Sequence, residues 1–380
     1  MSRSMLVTGL LGLLAFVAPL KAAPAPGVGK PIDLVICLDI SSSMDGLIDS
    51  AKIKLWDVVN DLAKIKPTPV FRVALYTYGC DGYDSKKGWI QKDSDLTTDL
   101  DEIYKKLNAL RTNGGTEFHT GVAKAAIEEL KWATEKDALR IIFVCGNEEL
   151  EQDPVNKLEA VAALAKKQGV VVNTIHCANQ SDLTNKSWHR FAELANGKGL
   201  NIDQNRAGQE VQIASPQDKQ LVQLNDKLNG TYVVYGNKQL RDEKAMNQLT
   251  QDREAATAAP GANLARVQSK ATALYRNDTW DLIDRMKNDA KFDLKSLKEE
   301  ELPEVLKKLK VEERVGYLMK KSKERETIQN EIMELSKARA DYVAKERAKL
   351  PKNDKDAGWD KAIRSALREQ CATKGMELPE

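Results

Sequence analysis

The chain has little net charge. Its 58 Lys and Arg stand against 56 Asp and Glu, a formal +2 over 380 residues. That removes any global pull toward nucleic acid or an anionic membrane surface, and the basic runs late in the chain are interleaved with acidic residues. A phosphate-binding Gly-Lys-Thr/Ser loop, a dinucleotide fingerprint and a nucleophile elbow are all missing, so the usual motif-borne nucleotide and acyl-transfer chemistries have no foothold. The long apolar run is Met5–Leu20, which falls short of the roughly 20 residues of a spanning helix. With Arg3 before it and Ala22 and Ala23 after it, it has the three parts of a secretory signal peptide over residues 1–22. No cysteine near the exit offers a lipid attachment point. The expectation is an exported protein, periplasmic or extracellular, without stable membrane insertion once the signal is cleaved.

Cysteines are few and odd in number, five at irregular spacing, which is a poor disulfide framework even where export permits one. Cys37, Cys145 and Cys177 lie in or at the end of apolar runs, Cys80 follows another, and Cys371 is in the tail. A Cys145–Cys177 bridge requires their strands to be neighbours; buried free thiols are the preferred reading.

What is present is a folded-protein balance of 42% apolar and 30% charged residues, with alternating strand and helix patterns from Pro31 to about Gln204. Apolar, β-branched runs at 32–39, 70–78, 139–145 and 170–177 read as buried strands, with "GWIQK" and "GLNIDQ" as short outer ones. Helical patterns fill Leu47–Lys64, Asp99–Leu110, Thr120–Thr134, Asn156–Gln168 and Ser187–Ala195. This alternation predicts an α/β fold: a doubly wound, mostly parallel sheet with helices on both faces. Ligands of such sheets bind beyond the carboxyl ends of the strands, where strand order reverses. Beyond this head, residues 206–260 read as a connecting segment, and 261–380 as a helical, partly coiled-coil-like region. In the latter, Val311, Val315 and Leu318, then Ile328, Ile332, Leu335 and Tyr342, recur at gaps of three and four with a slip between the groups. Packing on its own protein is preferred there to a partner-binding coil.

The first strand runs straight into "LDISSSMDGL", which sets Asp39, Ser41 and Ser43 as Asp-x-Ser-x-Ser at its carboxyl end. Such polar groups are costly beside a buried strand unless something there needs them. A helix cap is one such need and a cation another. Downstream, "TNGGTEFHTG" places Thr116 after a Gly-Gly pair and before a helix. Hydroxyls and a carboxylate are hard ligands suited to Mg²⁺.

On these two motifs and the element order, residues 31–205 resemble a von Willebrand factor type A domain with a metal-ion-dependent adhesion site, and "GNEE" and "VNTIHC" add a resemblance to bacterial exported proteins of this class. The resemblance implies Ser41, Ser43 and Thr116 as hydroxyl ligands, Asp39 acting through water, and Mg²⁺ or Mn²⁺ as the ion. The family often has a further aspartate after the fourth main strand. Here Gly146 falls at that place, and Glu148, two residues on, is the candidate substitute. One carboxylate fewer predicts either weaker ion binding or a shell completed by an acidic group from a partner.

Other clusters rank lower. His119 and His176 with Cys80, Cys145 and Cys177 suggest zinc or a Cys–His nucleophile, but their spacing fits no zinc pattern and packing is the preferred reading. Residues 80–89 lack the regular acidic spacing of a calcium loop. The glycosylation sequons at Asn185, Asn229 and Asn277 carry little weight if the host is bacterial. The expected function is non-enzymatic: an exported, metal-dependent module that binds a protein partner through the partner's carboxylate, with no nucleic-acid role. The alternative is an envelope scaffold with a degenerate metal site, whose helical C-terminal region carries the interaction.

Overall fold

The computed structural model describes residues 29–44, 47–178, 183–201, 213–258, 260–350 and 358–379. The leader expected at 1–22 lies outside the described residues. The head alternates as β1 (Pro31–Asp39), α1 (Leu47–Leu62), β2 (Val70–Tyr78), β3 (Ile90–Thr97), α2 (Leu100–Ala109), α3 (His119–Glu129), β4 (Leu139–Gly146), α4 (Leu158–Gln168), β5 (Val170–His176), α5 (Asn185–Leu194) and β6 (Gly199–Asn201). Then follow α6 (Asp218–Asn229), α7 (Lys238–Ala258), α8 (Pro260–Lys270), α9 (Leu282–Asn288), α10 (Glu304–Lys307), α11 (Val311–Lys349) and α12 (Gly358–Thr373).

The strands form one sheet in the order β3-β2-β1-β4-β5-β6. Every pairing is parallel except β2 with β3. From β1 the chain builds outward to β2 and β3, then crosses back to β4 on the other side. The switch point therefore lies between the carboxyl ends of β1 and β4, where Asp39 and Gly146 sit.

Alternation along the strands sends side chains into two cores. On one face Val35, Cys37, Ala74 and Ile142 meet α3, α4 and α5, with Trp188 and Phe191 fully buried. On the other, Ile32, Leu34, Leu139 and Ile141 meet Trp56 and Val59 of α1 and Tyr104 and Leu107 of α2. Helix α3 stops at Glu129, short of the expected Thr134. The next residues are recruited to the foot of β1 instead: Ala133 N–H donates to Asp33 at 2.6 Å, and Arg72 pairs with the same carboxylate.

The second face is completed by the far end of the chain. Ile363, Leu367 and Cys371 of α12, with Met376 and Leu378 beyond it, belong to the same core as Ile32 and Leu139. Helix α8 packs on α1, where Asn60 donates to the Ala265 carbonyl and accepts from Ser269. Arg266 is wholly buried there, bonded to Asp101 of α2 at 2.5 Å and Asp252 of α7 at 2.7 Å, and its guanidinium lies 4.9 Å from the Trp56 ring centroid.

Helix α11 covers α6 and α8 with Ile328 and Ile332, and the α9–α10 segment with Leu318. Between these groups the heptad position that follows Leu318 and precedes Ile332 is Arg325. It is buried, bonded to Asp281 at 2.7 Å and Asp284 at 3.0 Å, and stacked over Tyr232. The slip in the apolar pattern is thus a charged residue in a core position, made tolerable by two carboxylates and an aromatic face.

Candidate functional site

At the switch point β1 ends in Asp39, which is fully buried. Its Oδ1 accepts the Ser41 backbone N–H at 2.7 Å, turning the chain out of the strand. A short 3-10 turn, Ser42–Met44, precedes α1. The Ser41 and Ser43 hydroxyls meet at 2.8 Å, and Ser43 Oγ donates across to Asn147 Oδ1 at 3.1 Å. These contacts reach a different loop, which is not what a helix cap does.

The Gly-Gly loop is held against this turn by backbone. Asn113 N–H donates to the Ile40 carbonyl and Ser42 N–H to the Gly114 carbonyl. Gly114 has φ of +100°, and a Cβ there would sit 2.5 Å from Asp81 N; only glycine allows so close an approach. Thr116 follows on this loop, half-buried and without a hydrogen bond among the described residues.

The residue after it, Glu117, is a site component that the motif reading missed. It is 2% exposed. Gln152 Nε2 donates to its Oε2 at 3.1 Å. A Cβ on Gly79 would lie 2.8 Å from Asp39 Oδ1, 3.0 Å from Glu117 Cγ and 3.5 Å from Ser41 Cβ, so the three side chains crowd one point. Asn147 is the other missed component. Neither belongs to a sequence pattern; both are brought in by loops from other strands.

Electrostatics set the site apart. Burial pushes the Asp39 carboxyl up to about 7, against the bonds from Ser41, with repulsion from Glu117 and Glu148 adding to the rise. Glu117 is also raised, mainly by burial and then by Glu148. Asp39 Oδ2 is buried and has no hydrogen-bond partner among the described residues. Glu148 itself is exposed, and its carbonyl accepts the Trp188 indole N–H at 2.9 Å.

These residues fit a hard divalent cation. Neighbouring ligands in an octahedron of 2.0–2.1 Å bonds are separated by about 3.0 Å, close to the 2.8 Å between the two serine hydroxyls. The Asp39 carboxylate whose Oδ1 holds the Ser41 N–H leaves its buried Oδ2 without a hydrogen-bond partner among the described residues.

Beneath this loop, Gly146 is forced. A Cβ there would meet His119 Nε2 and Tyr78 Oη at 2.7 Å each. Tyr78 donates to the Cys145 carbonyl at 2.7 Å, and the His119 ring stands edge-on between Tyr78 and Trp188. Burial and then His176 push the His119 imidazole down to about 3. His176 stacks on Trp188, pairs with Asn185, and places Nε2 3.1 Å from the Asn147 carbonyl oxygen. The two histidines therefore pack under the 146–148 loop and pin it. Among the described residues no three His, Cys, Asp or Glu side chains gather as a metal site. All five cysteines are free thiols, Cys145 and Cys177 included, and burial raises both.

Among curated proteins no significant match to the chain is found. Solved structures with a similar fold include proximal thread matrix protein 1 from the mussel byssus, with a zinc-occupied MIDAS motif (14% identity, 47% of this chain and 43% of that one, TM-score 0.37). Others are the pilus adhesin SpaC from Lactobacillus rhamnosus GG (14%, 47% and 28%, 0.36) and the vWF domain of the type V pili tip protein Mfa5 from Porphyromonas gingivalis (18%, 47% and 92%, 0.36). The chain spans under half the length of the byssus protein and of SpaC. Residues 33–214 match the family description of the von Willebrand factor type A domain. With its doubly wound sheet and the Asp-x-Ser-x-Ser loop at the switch point, this part of the chain is a von Willebrand factor type A domain.

Proposed function

We propose that the chain is an exported interaction protein whose head binds a protein partner through a divalent cation, Mg²⁺ or Mn²⁺, at the carboxyl end of β1. Ser41 and Ser43 would hold the ion, with Thr116 brought alongside by the Gly-Gly loop and Asp39 Oδ2 facing it directly or through water. When bound, the ion supplies an electrophilic point that accepts a carboxylate oxygen from the partner. The observation that carries this reading is Asp39 Oδ2, a buried carboxylate oxygen without a partner among the described residues, beside two hydroxyls spaced as adjacent ligands. Burial of an unpaired charge is expensive, and a cation offsets that cost. Ser42, Ser43, Gly115 and Glu148 are exposed around it, which leaves the solvent side open to a partner. The proposal of binding rather than catalysis rests on the donor set: mainly neutral hydroxyls leave the ion its affinity for an incoming anion. Export rests on the N-terminal signal pattern, and none of the described helices is long and apolar enough to cross a membrane.

The test is a thermal melt with and without Mg²⁺ and Mn²⁺. Stabilisation of the wild type and its loss in Asp39→Ala support the reading; an unresponsive wild type refutes it. A second reading, a scaffold acting through its helices, is favoured by Val311, Val315 and Met319, which are exposed on successive turns of α11. Partner retention in EDTA, lost on Val315→Glu/Met319→Glu, would support it over the first.

A further inference from the structure

We propose that Glu117 is the second resident carboxylate of the cation site, standing in for the acidic side chain that position 146 has no room to carry. The inference rests on the cation-site reading above and goes beyond it by naming a ligand outside the Asp-x-Ser-x-Ser and Gly-Gly-Thr motifs.

Three observations lead to it. Position 146 is closed to any side chain, because His119 and Tyr78 occupy the space a Cβ would take. Glu148 is solvent-exposed, and its backbone is tied down by Trp188. Glu117, by contrast, is almost wholly buried and shares with Asp39 and Ser41 the crowded space beside Gly79. Neither Asp39 nor Glu117 pairs with a basic side chain among the described residues, so two buried acidic side chains crowd beside Ser41 without a positive charge from the protein. Acids are rarely buried unless paired or metal-bound. The unpartnered Asp39 Oδ2 is the oxygen toward which a bound cation would bring positive charge.

Glu117 comes from the protein side. Gln152 holds its Oε2, and it lies on the Gly79 side of Ser41, whereas Ser43 and Gly115 are exposed. It therefore serves as a built-in ligand that lowers the net charge of the loaded site and leaves the outer position to a partner. Gln152, at the end of the short turn Leu150–Gln152, positions it.

The experiment measures Mg²⁺ and Mn²⁺ affinity calorimetrically, with metal-free melting, for wild type, Glu117→Gln, Glu148→Gln and Asp39→Ala in the full chain. Glu117→Gln keeps the shape and a hydrogen-bonding end. It should weaken cation binding by about 10–100-fold, the range seen when groups supporting a metal are removed. It should also raise the metal-free melting temperature, because a buried like charge disappears. Glu148→Gln should leave affinity within about threefold of wild type. Unchanged affinity in Glu117→Gln, or a lower metal-free melting temperature with unchanged affinity, overturns the inference while the cation site stands on Asp39→Ala. A wild type that binds neither ion overturns both.

Discussion

Adding back the aspartate that the family often has after the fourth strand is the obvious way to strengthen this cation site, and the structure predicts that it fails. The decisive variant is the milder one, Gly146→Ala. Its Cβ would stand 2.7 Å from both His119 Nε2 and Tyr78 Oη and 2.9 Å from His119 Cδ2, well inside ordinary contact. Neither ring has a free direction of escape, since His119 is packed at 4.8 Å centroid distance against Trp188 and Tyr78 is anchored to the Cys145 carbonyl. Overpacking of this kind costs about 1–3 kcal/mol. Losing the Tyr78 hydrogen bond adds about 0.5–1.5 kcal/mol. Together these predict a destabilisation of about 1.5–4.5 kcal/mol for Gly146→Ala, and at least as much for Gly146→Asp, with no gain in Mg²⁺ affinity. Equilibrium urea unfolding followed by the fluorescence of the buried Trp56 and Trp188 reads the loss as a lower midpoint at unchanged slope. A Gly146→Ala midpoint equivalent to less than about 0.5 kcal/mol of change would refute the packing argument, and a tighter-binding Gly146→Asp would refute the account of the missing acid.

Three further outcomes are expected. Because burial holds the Asp39 carboxyl at about 7 against an ordinary 3.8, the metal-free fold keeps a proton that the unfolded chain releases. Metal-free stability should therefore fall as pH rises from about 4 to 7, while the melting-temperature gain from Mg²⁺, which needs the carboxylate, should be larger at pH 8 than at pH 5.5; equal gains would contradict it. Replacing Arg266 with Met leaves Asp101 buried without its ion pair, and Asp252 with Lys270 alone, and should cost about 3–5 kcal/mol in chemical denaturation, whereas Arg190→Met, at an exposed pair with Glu159, should cost under about 1 kcal/mol. Truncation before Gly358 removes Ile363, Leu367, Cys371, Met376 and Leu378 from the core. At about 1.5–3 kcal/mol for each large apolar side chain, the truncated head should fail to give a cooperative melt, and a sharp melt would count against the packing described.

The sheet is legible in the sequence because its central strands are buried on both faces and so carry near-continuous apolar runs; the four central runs recover β1, β2, β4 and β5 to within a residue or two. The Asp-x-Ser-x-Ser loop is legible because three polar residues interrupt such a run at its end. Glu117 and Asn147 are not, since each is an ordinary polar residue in a loop and gains its place only when the β2, β3 and β4 connections fold toward β1. Arg325 shows the opposite case. It leaves a visible scar in the periodicity of α11, but its partners Asp281 and Asp284 lie more than forty positions upstream. The docking of helix α12 is hidden for a similar reason: its apolar residues at 363, 367 and 371 make a helix face, and no local signal says that the face belongs to the sheet.

That last placement bears on how the protein is made. Lys30 at the foot of β1 donates to the carbonyl of Lys374, 344 positions away, and the core around Ile32 stays open on one side until α12 arrives. A ribosome emitting the head first produces a sheet whose second face is covered by α1 and α2 but not yet by α12. Such long-range closure folds slowly. For a chain exported as proposed here, that face stays incomplete until α12 has been synthesised.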